Sequence, residues 1–184
     1  MKGMVFTEFL EMVEEKFGFD VVDNILEASK DKLSTGGAYT AIGTYSHGEI
    51  ITLVTNLSTE TNIPIPHLVH VFGTHLLGQF AAHYTQFFEE ANNTFEFLES
   101  IDNHIHIEVL KLYPDAELPR FKCFHPDDKP NELTMIYSSE RAMSDLAAGL
   151  IEGAIKYYKE NITFTKMDLD NSNGKIVKFD LIKS

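Results

Sequence analysis

Apolar residues at three- and four-residue spacing dominate the first half of the chain. Val5, Phe6, Phe9, Leu10, Met12, Val13 and Phe17 fall on one stripe of a helix, and Gly18 supplies its stop. A shorter helix carries Val21, Val22, Ile25 and Leu26. A loop rich in Ser, Thr and Gly at 34–48 precedes a helix with Ile50, Ile51, Leu53, Val54 and Leu57. Pro64 and Pro66 then interrupt the pattern, and Pro66 suits the start of a helix because its ring presets φ. That helix presents Leu68, Val69, Phe72, Leu76, Leu77 and Phe80. A long helix is expected over 94–112, ended at Tyr113-Pro114 because the residue before a proline is driven from the helical region.

After Pro119 the period changes to two. Strands are expected over 121–124, 132–138, 162–169 and 175–182, with Asn173-Gly174 as a hairpin signal between the last two. One helix, over 144–159, interrupts them. The fold class is therefore α+β, a mostly helical N-terminal part packed on a C-terminal antiparallel sheet with helices. A chain of 184 residues makes this a single domain, with a helical subdomain at about 1–62 and the long helix and sheet at 63–184.

Composition narrows the partners. A formal charge of −13 and a pI of about 4.9 argue against nucleic acid and anionic lipid surfaces. No apolar run reaches the roughly 18 residues of a membrane span, and the start, Met1-Lys2-Gly3-Met4-Val5-Phe6, lacks the apolar stretch of a signal peptide. A cytoplasmic location is the expectation. Cys123 is the only cysteine, which excludes an intrachain disulfide and any multi-cysteine zinc or iron–sulfur site.

Several candidate chemistries fail on inspection. Asp168 to Lys175 resembles a calcium loop, but Asn173 stands where glycine is needed and Phe179 replaces the bidentate glutamate, so a hairpin turn explains the residues. Eight histidines contain no HExxH pair, and no nucleophile elbow or Walker loop is present. An enzyme site is not expected.

Two stretches remain. In residues 101–114, His104 and His106 lie about 200° apart on a helix. Val109 and Leu110 stand one turn after His106, making it the more inward-facing of the two. A lone inward histidine is ordinarily a satisfied core residue, and it cannot hold bare zinc or iron. It can hold an iron whose four equatorial positions belong to a porphyrin. In residues 133–141, strand alternation places Leu133, Met135, Tyr137, Ser139 and Arg141 on one face. That face ends in a phenol, a hydroxyl and a guanidinium, which suit acceptor oxygens such as haem propionates; a strand simply running into solvent is the plainer alternative.

Taken together these stretches resemble the haem nitric oxide/oxygen binding domains, bacterial relatives of the sensor domain of soluble guanylate cyclase. The resemblance spans the chain. It includes Met1-Lys2-Gly3, His106 to Pro114 with Pro119 thirteen residues after His106, and Tyr137-x-Ser139-x-Arg141. Gly149 to Gly153 and the terminal hairpin complete it. It implies haem b, ferrous protoporphyrin IX, buried between the helical part and the sheet. His106 is then the proximal iron ligand, Tyr137, Ser139 and Arg141 bind the propionates, and Pro119 distorts the macrocycle. In oxygen-binding members a tyrosine, a tryptophan and an asparagine form the distal hydrogen-bonding set, and their positions here are Leu146, Phe9 and Leu76. Val5, Phe80, Ala147 and Leu150 are expected to complete an apolar distal wall. The resemblance thus implies binding of NO and CO and exclusion of O2. A single cysteine leaves the zinc site of some members unpredicted. With no catalytic domain expected, the output passes in trans to a histidine kinase or a cyclic-di-GMP synthase or phosphodiesterase. The alternatives are a haem or gas carrier without signalling, and a cofactor-free interaction module.

Overall fold

The N-terminal stripe folds as its spacing predicts. A computed structural model describes residues 1–127 and 129–184. Helix α1 (Gly3–Phe17) runs into α2 (Phe19–Ser29) through Gly18, whose φ of 91° favours glycine. Helix α3 (His47–Thr61) is capped by the Ser46 hydroxyl, which accepts the Gly48 N–H. Helix α4 (Ile65–His83) has Pro66 in its first turn. Phe6, Phe9, Met12, Ile25, Ile50, Leu53, Leu57 and Phe72 fill the core these helices enclose. The polar loop before α3 is tied down by buried Glu49, which accepts from the Ser34 hydroxyl at 2.8 Å and the Tyr39 hydroxyl at 2.9 Å. A buried carboxylate satisfied in this way anchors the loop rather than penalising the fold.

The second core lies against the sheet. Four strands, β1 (Arg120–Phe124), β2 (Glu132–Ser138), β3 (Ile162–Asp168) and β4 (Ile176–Lys183), pair antiparallel in the order β1-β2-β4-β3. Leu133, Met135, Tyr137, Val177, Phe179 and Leu181 point from β2 and β4 into this core. The β3–β4 connection is longer than a two-residue turn. Asp168 accepts from the Asn173 and Gly174 amides at 3.1 and 3.2 Å and from the Ser172 hydroxyl, while Asp170, Asn171 and Asn173 adopt positive φ. The acidic and amide residues build a turn.

Two elements depart from expectation. A short helix, α5 (Thr85–Glu89), follows α4 where none was expected. The long helix over 94–112 is broken into α6 (Thr94–Ser100), a π turn (Ile101–Ile105) and α7 (His106–Leu112). In the π turn the His106 amide donates to the Ile101 carbonyl five residues back. Such wide turns recur at functional sites.

Helix α8 (Ser144–Tyr158) crosses α4 at backbone distance. A Cβ on Gly149 would lie 2.0 Å from the His70 carbonyl oxygen and 2.9 Å from Gly73 Cα; one on Gly73 would lie 2.4 Å from the Leu146 carbonyl oxygen. Helix α4 serves both cores, Leu76 in the first and Leu77 in the second. Among the described residues no helix is long and apolar enough to cross a membrane.

Candidate functional site

A cavity of about 320 Å³ opens between the two cores, a size within the range of small-molecule sites. One side is formed by α7 and β1. His106 lines the cavity, its ring 5.8 Å from that of Phe121, which in turn lies 5.7 Å from Tyr137. The π turn holds Asp102 beside it, with Oδ1 3.7 Å from His106 Nδ1, beyond hydrogen-bond length. Nδ1 is buried and has no hydrogen-bond partner among the described residues. Asp102 is itself pinned: Oδ1 accepts the Phe121 amide at 3.3 Å, and Oδ2 accepts from the Arg120 guanidinium at 3.2 Å. Burial lowers the His106 pKa, against the opposing pull of Asp102. The imidazole is therefore held neutral, with a lone pair on one ring nitrogen. His104 faces away and contacts Glu90 at 2.9 Å.

The rim carries Tyr137, Ser139, Arg141 and Pro119, all lining the cavity. Tyr137 is buried, its oxygen accepts the Met143 amide at 3.0 Å, and burial raises its pKa, so the phenol keeps a proton to donate. The strand alternation that grouped these residues ends at Ser138. Beyond it the Ser139 amide bonds the Lys175 carbonyl at 2.8 Å, and Ala142 turns the chain at a φ of 51°. A turn, rather than continued pleat, brings Ser139 and Arg141 to the rim. The Arg141 guanidinium donates to the Glu117 carbonyl at 2.8 Å and to its Oε2 at 2.5 Å.

On the opposite side Val5, Phe80, Leu146, Ala147 and Leu150 line the cavity. Phe9 and Leu76, expected in the same wall, do not. They are 0% and 2% exposed within the helical core, and Phe9 meets Phe72 edge-on at 5.3 Å. Both are taken up by packing in the helical core that α1 and α4 share.

Sequence reasoning missed several residues here. Asp102 carried a signal, lying four residues before His106. Asp115 and Glu117 at the rim carried none, and Lys2 entered only within the Met1-Lys2-Gly3 part of the resemblance. Tyr84 also lines the cavity, with rings of Phe80 and Phe87 at 6.3 and 6.4 Å. Cys123 lies outside the cavity lining, and burial pushes its thiol up to about 12, which leaves it unreactive.

The donor set suits a flat iron macrocycle bearing acid groups. Among the described residues no group of three His, Cys, Asp or Glu side chains could hold a metal ion. A lone neutral imidazole fits an iron that brings its remaining ligands with it, the apolar walls fit the macrocycle, and the rim donors fit its carboxylates.

Comparison with known proteins agrees. Residues 2–166 match the family model described as haem-NO-binding. The Fe(II) unliganded H-NOX protein from K. algicida is 38% identical, with a TM-score of 0.91, 100% of this chain and 97% of that one being covered. An H-NOX protein from S. oneidensis in the Fe(II)NO state gives 25% identity and a TM-score of 0.88, covering 100% and 99%. The IWP-051-bound H-NOX from Shewanella woodyi in the Fe(II)CO state gives 35% and 0.83, covering 100% and 95%. A comparison with curated protein sequences finds no match.

Proposed function

Since this chain belongs to the haem-NO-binding family, a family of haem-based gas sensors, we propose that it is a nitric oxide sensor that excludes oxygen and regulates a signalling partner in trans. The observation that carries this reading is the cavity's polarity: one neutral imidazole on one side, acid-binding donors at the rim, and an aliphatic and aromatic wall opposite. In this reading the cofactor is haem b. His106 would hold the iron, Tyr137, Ser139 and Arg141 would bind the propionates, and Pro119 would press on the macrocycle. Bound haem would supply an iron able to take NO and CO.

The chain's own residues do the rest. Val5, Phe80, Leu146, Ala147 and Leu150 exclude water and offer no hydrogen-bond donor, and pocket donors are what separate haem proteins that retain oxygen from those that do not. Leu146→Tyr restores such a donor. The reduced variant is expected to change its visible spectrum in air and revert on deoxygenation, while the parent chain does neither.

Asp102 is a positioning residue for the His106 imidazole. Outer partners of ligating histidines contribute about 10–100-fold in affinity. Asp102 stands 3.7 Å from His106 Nδ1 without hydrogen-bonding it, so Asp102→Ala is expected to speed haem transfer to apomyoglobin about threefold, below that range, with the fold intact by circular dichroism. The π turn links His106 to α6, so displacement of the imidazole reaches the helices and sheet through it.

The proposed partner is a histidine kinase or a cyclic-di-GMP synthase or phosphodiesterase, and the chain itself is proposed to catalyse nothing. Assaying such a partner with the haem-loaded chain, with and without NO, tests the signalling claim. Partner activity that responds to NO supports a sensor. Activity indifferent to NO leaves a gas or haem carrier instead.

A further inference from the structure

Two cationic side chains line the cavity mouth, and both are held by one segment of the chain. Arg141, with its side chain 21% exposed, donates to Oε2 of Glu117 at 2.5 Å and to that residue's carbonyl at 2.8 Å. Lys2, 17% exposed, lies 2.8 Å from Oδ1 of Asp115 and also donates to Oδ2 and to the Thr44 hydroxyl. The partners are asymmetric: Asp115 and Glu117 are 60% and 82% exposed. Leaving a largely buried cation unpaired is costly, whereas an exposed carboxylate returns to water cheaply. Asp115 and Glu117 are two residues apart in the connection between α7 and β1, which also carries Pro119.

We propose that Asp115 and Glu117 compete with the cofactor's two carboxylates for Lys2 and Arg141, exchanging places with them there, and that Lys2 is a further carboxylate-binding residue. The proposal rests on the haem reading. One guanidinium edge cannot make its two-pronged contact with Glu117 and with an incoming acid at once, so occupation by one releases the other. The same exchange at Lys2 serves the second acid. The segment thus keeps both cations paired and extended toward the mouth, and it lowers the net gain on cofactor binding.

The test is haem transfer from the loaded chain to excess apomyoglobin, comparing the parent with the Asp115→Asn, Glu117→Gln double variant. Each chain is reconstituted with haem and, separately, with its dimethyl ester, which has no free carboxylates. Removing both competing carboxylates is expected to slow haem loss about fivefold in the variant. The ester should be lost at the same rate from both chains. Faster loss of both porphyrins would make the segment a clasp and overturn the proposal. Unchanged loss of haem, or equal slowing with the ester, would overturn it as well. Failure of the parent chain to take up haem would instead overturn the proposed function, and this proposal with it.

Discussion

His106→Gly is expected to leave a folded chain that loses haem more than about a hundredfold faster than the parent, with retention recovered by added imidazole. Outer partners of a ligating histidine already contribute about 10–100-fold, so the ligand itself should exceed that range. Folding should survive because His106 lines the cavity, so that its removal enlarges an existing space, its ring resting on Phe121. Glycine at this helical position costs about 1 kcal/mol relative to alanine, so His106→Ala should fold slightly better and lose haem comparably. Free imidazole suits the space left by the removed ring. Rescue by imidazole would distinguish a lost ligand from a collapsed pocket. Retention of haem without His106 or imidazole would show that another group holds the iron.

Gly149→Ala is expected to destabilise the chain by about 3 kcal/mol, since overpacking typically costs 1–3 kcal/mol and backbone obstacles cannot rotate aside. The added Cβ would meet the His70 carbonyl oxygen at 2.0 Å and Gly73 Cα at 2.9 Å. For a chain of this length that corresponds to a fall in Tm of about 10 °C by calorimetry. The same crossing spaces Leu146 and Leu150 against Phe80, so haem retention should fall together with stability. Gly78→Ala, on the same helix α4 but with nothing within 4 Å of its Cβ, is the control. It should be neutral or stabilising by up to about 1 kcal/mol. Equal behaviour of the two variants would mean that the helices separate freely at the crossing.

Much of this molecule was readable from local periodicity. The α1 stripe, the proline-started α4, the strand pairs and α8 all follow from apolar spacing, since each buries one face. The π turn was not readable. A single wide turn shifts the register of seven following residues by about one position, which leaves the 94–112 pattern looking like continuous helix. Tyr137, Ser139 and Arg141 were grouped by strand alternation, yet the strand stops at Ser138 and a turn completes the group. Phe9 and Leu76 were placed at the wall by the resemblance alone, and correspondence of position says nothing of which layer a side chain enters; both pack in the helical core. Lys2 meets Asp115 across 113 positions of sequence, and Arg141 meets Glu117 across 24. Contacts of that separation come from the assembled fold, and short-range spacing carries no trace of them.

The visible absorption spectrum of the purified, reduced chain, taken before and after air and then NO, tests the central claim most directly. A Soret band that ignores air and shifts with NO is the predicted result, matching a pocket with His106 on one side and a donor-free wall on the other. An air-stable change would contradict the exclusion of oxygen and would direct attention to Tyr84, the unanticipated hydroxyl on the cavity lining. The absence of any Soret band after haemin is supplied would contradict the account at its base.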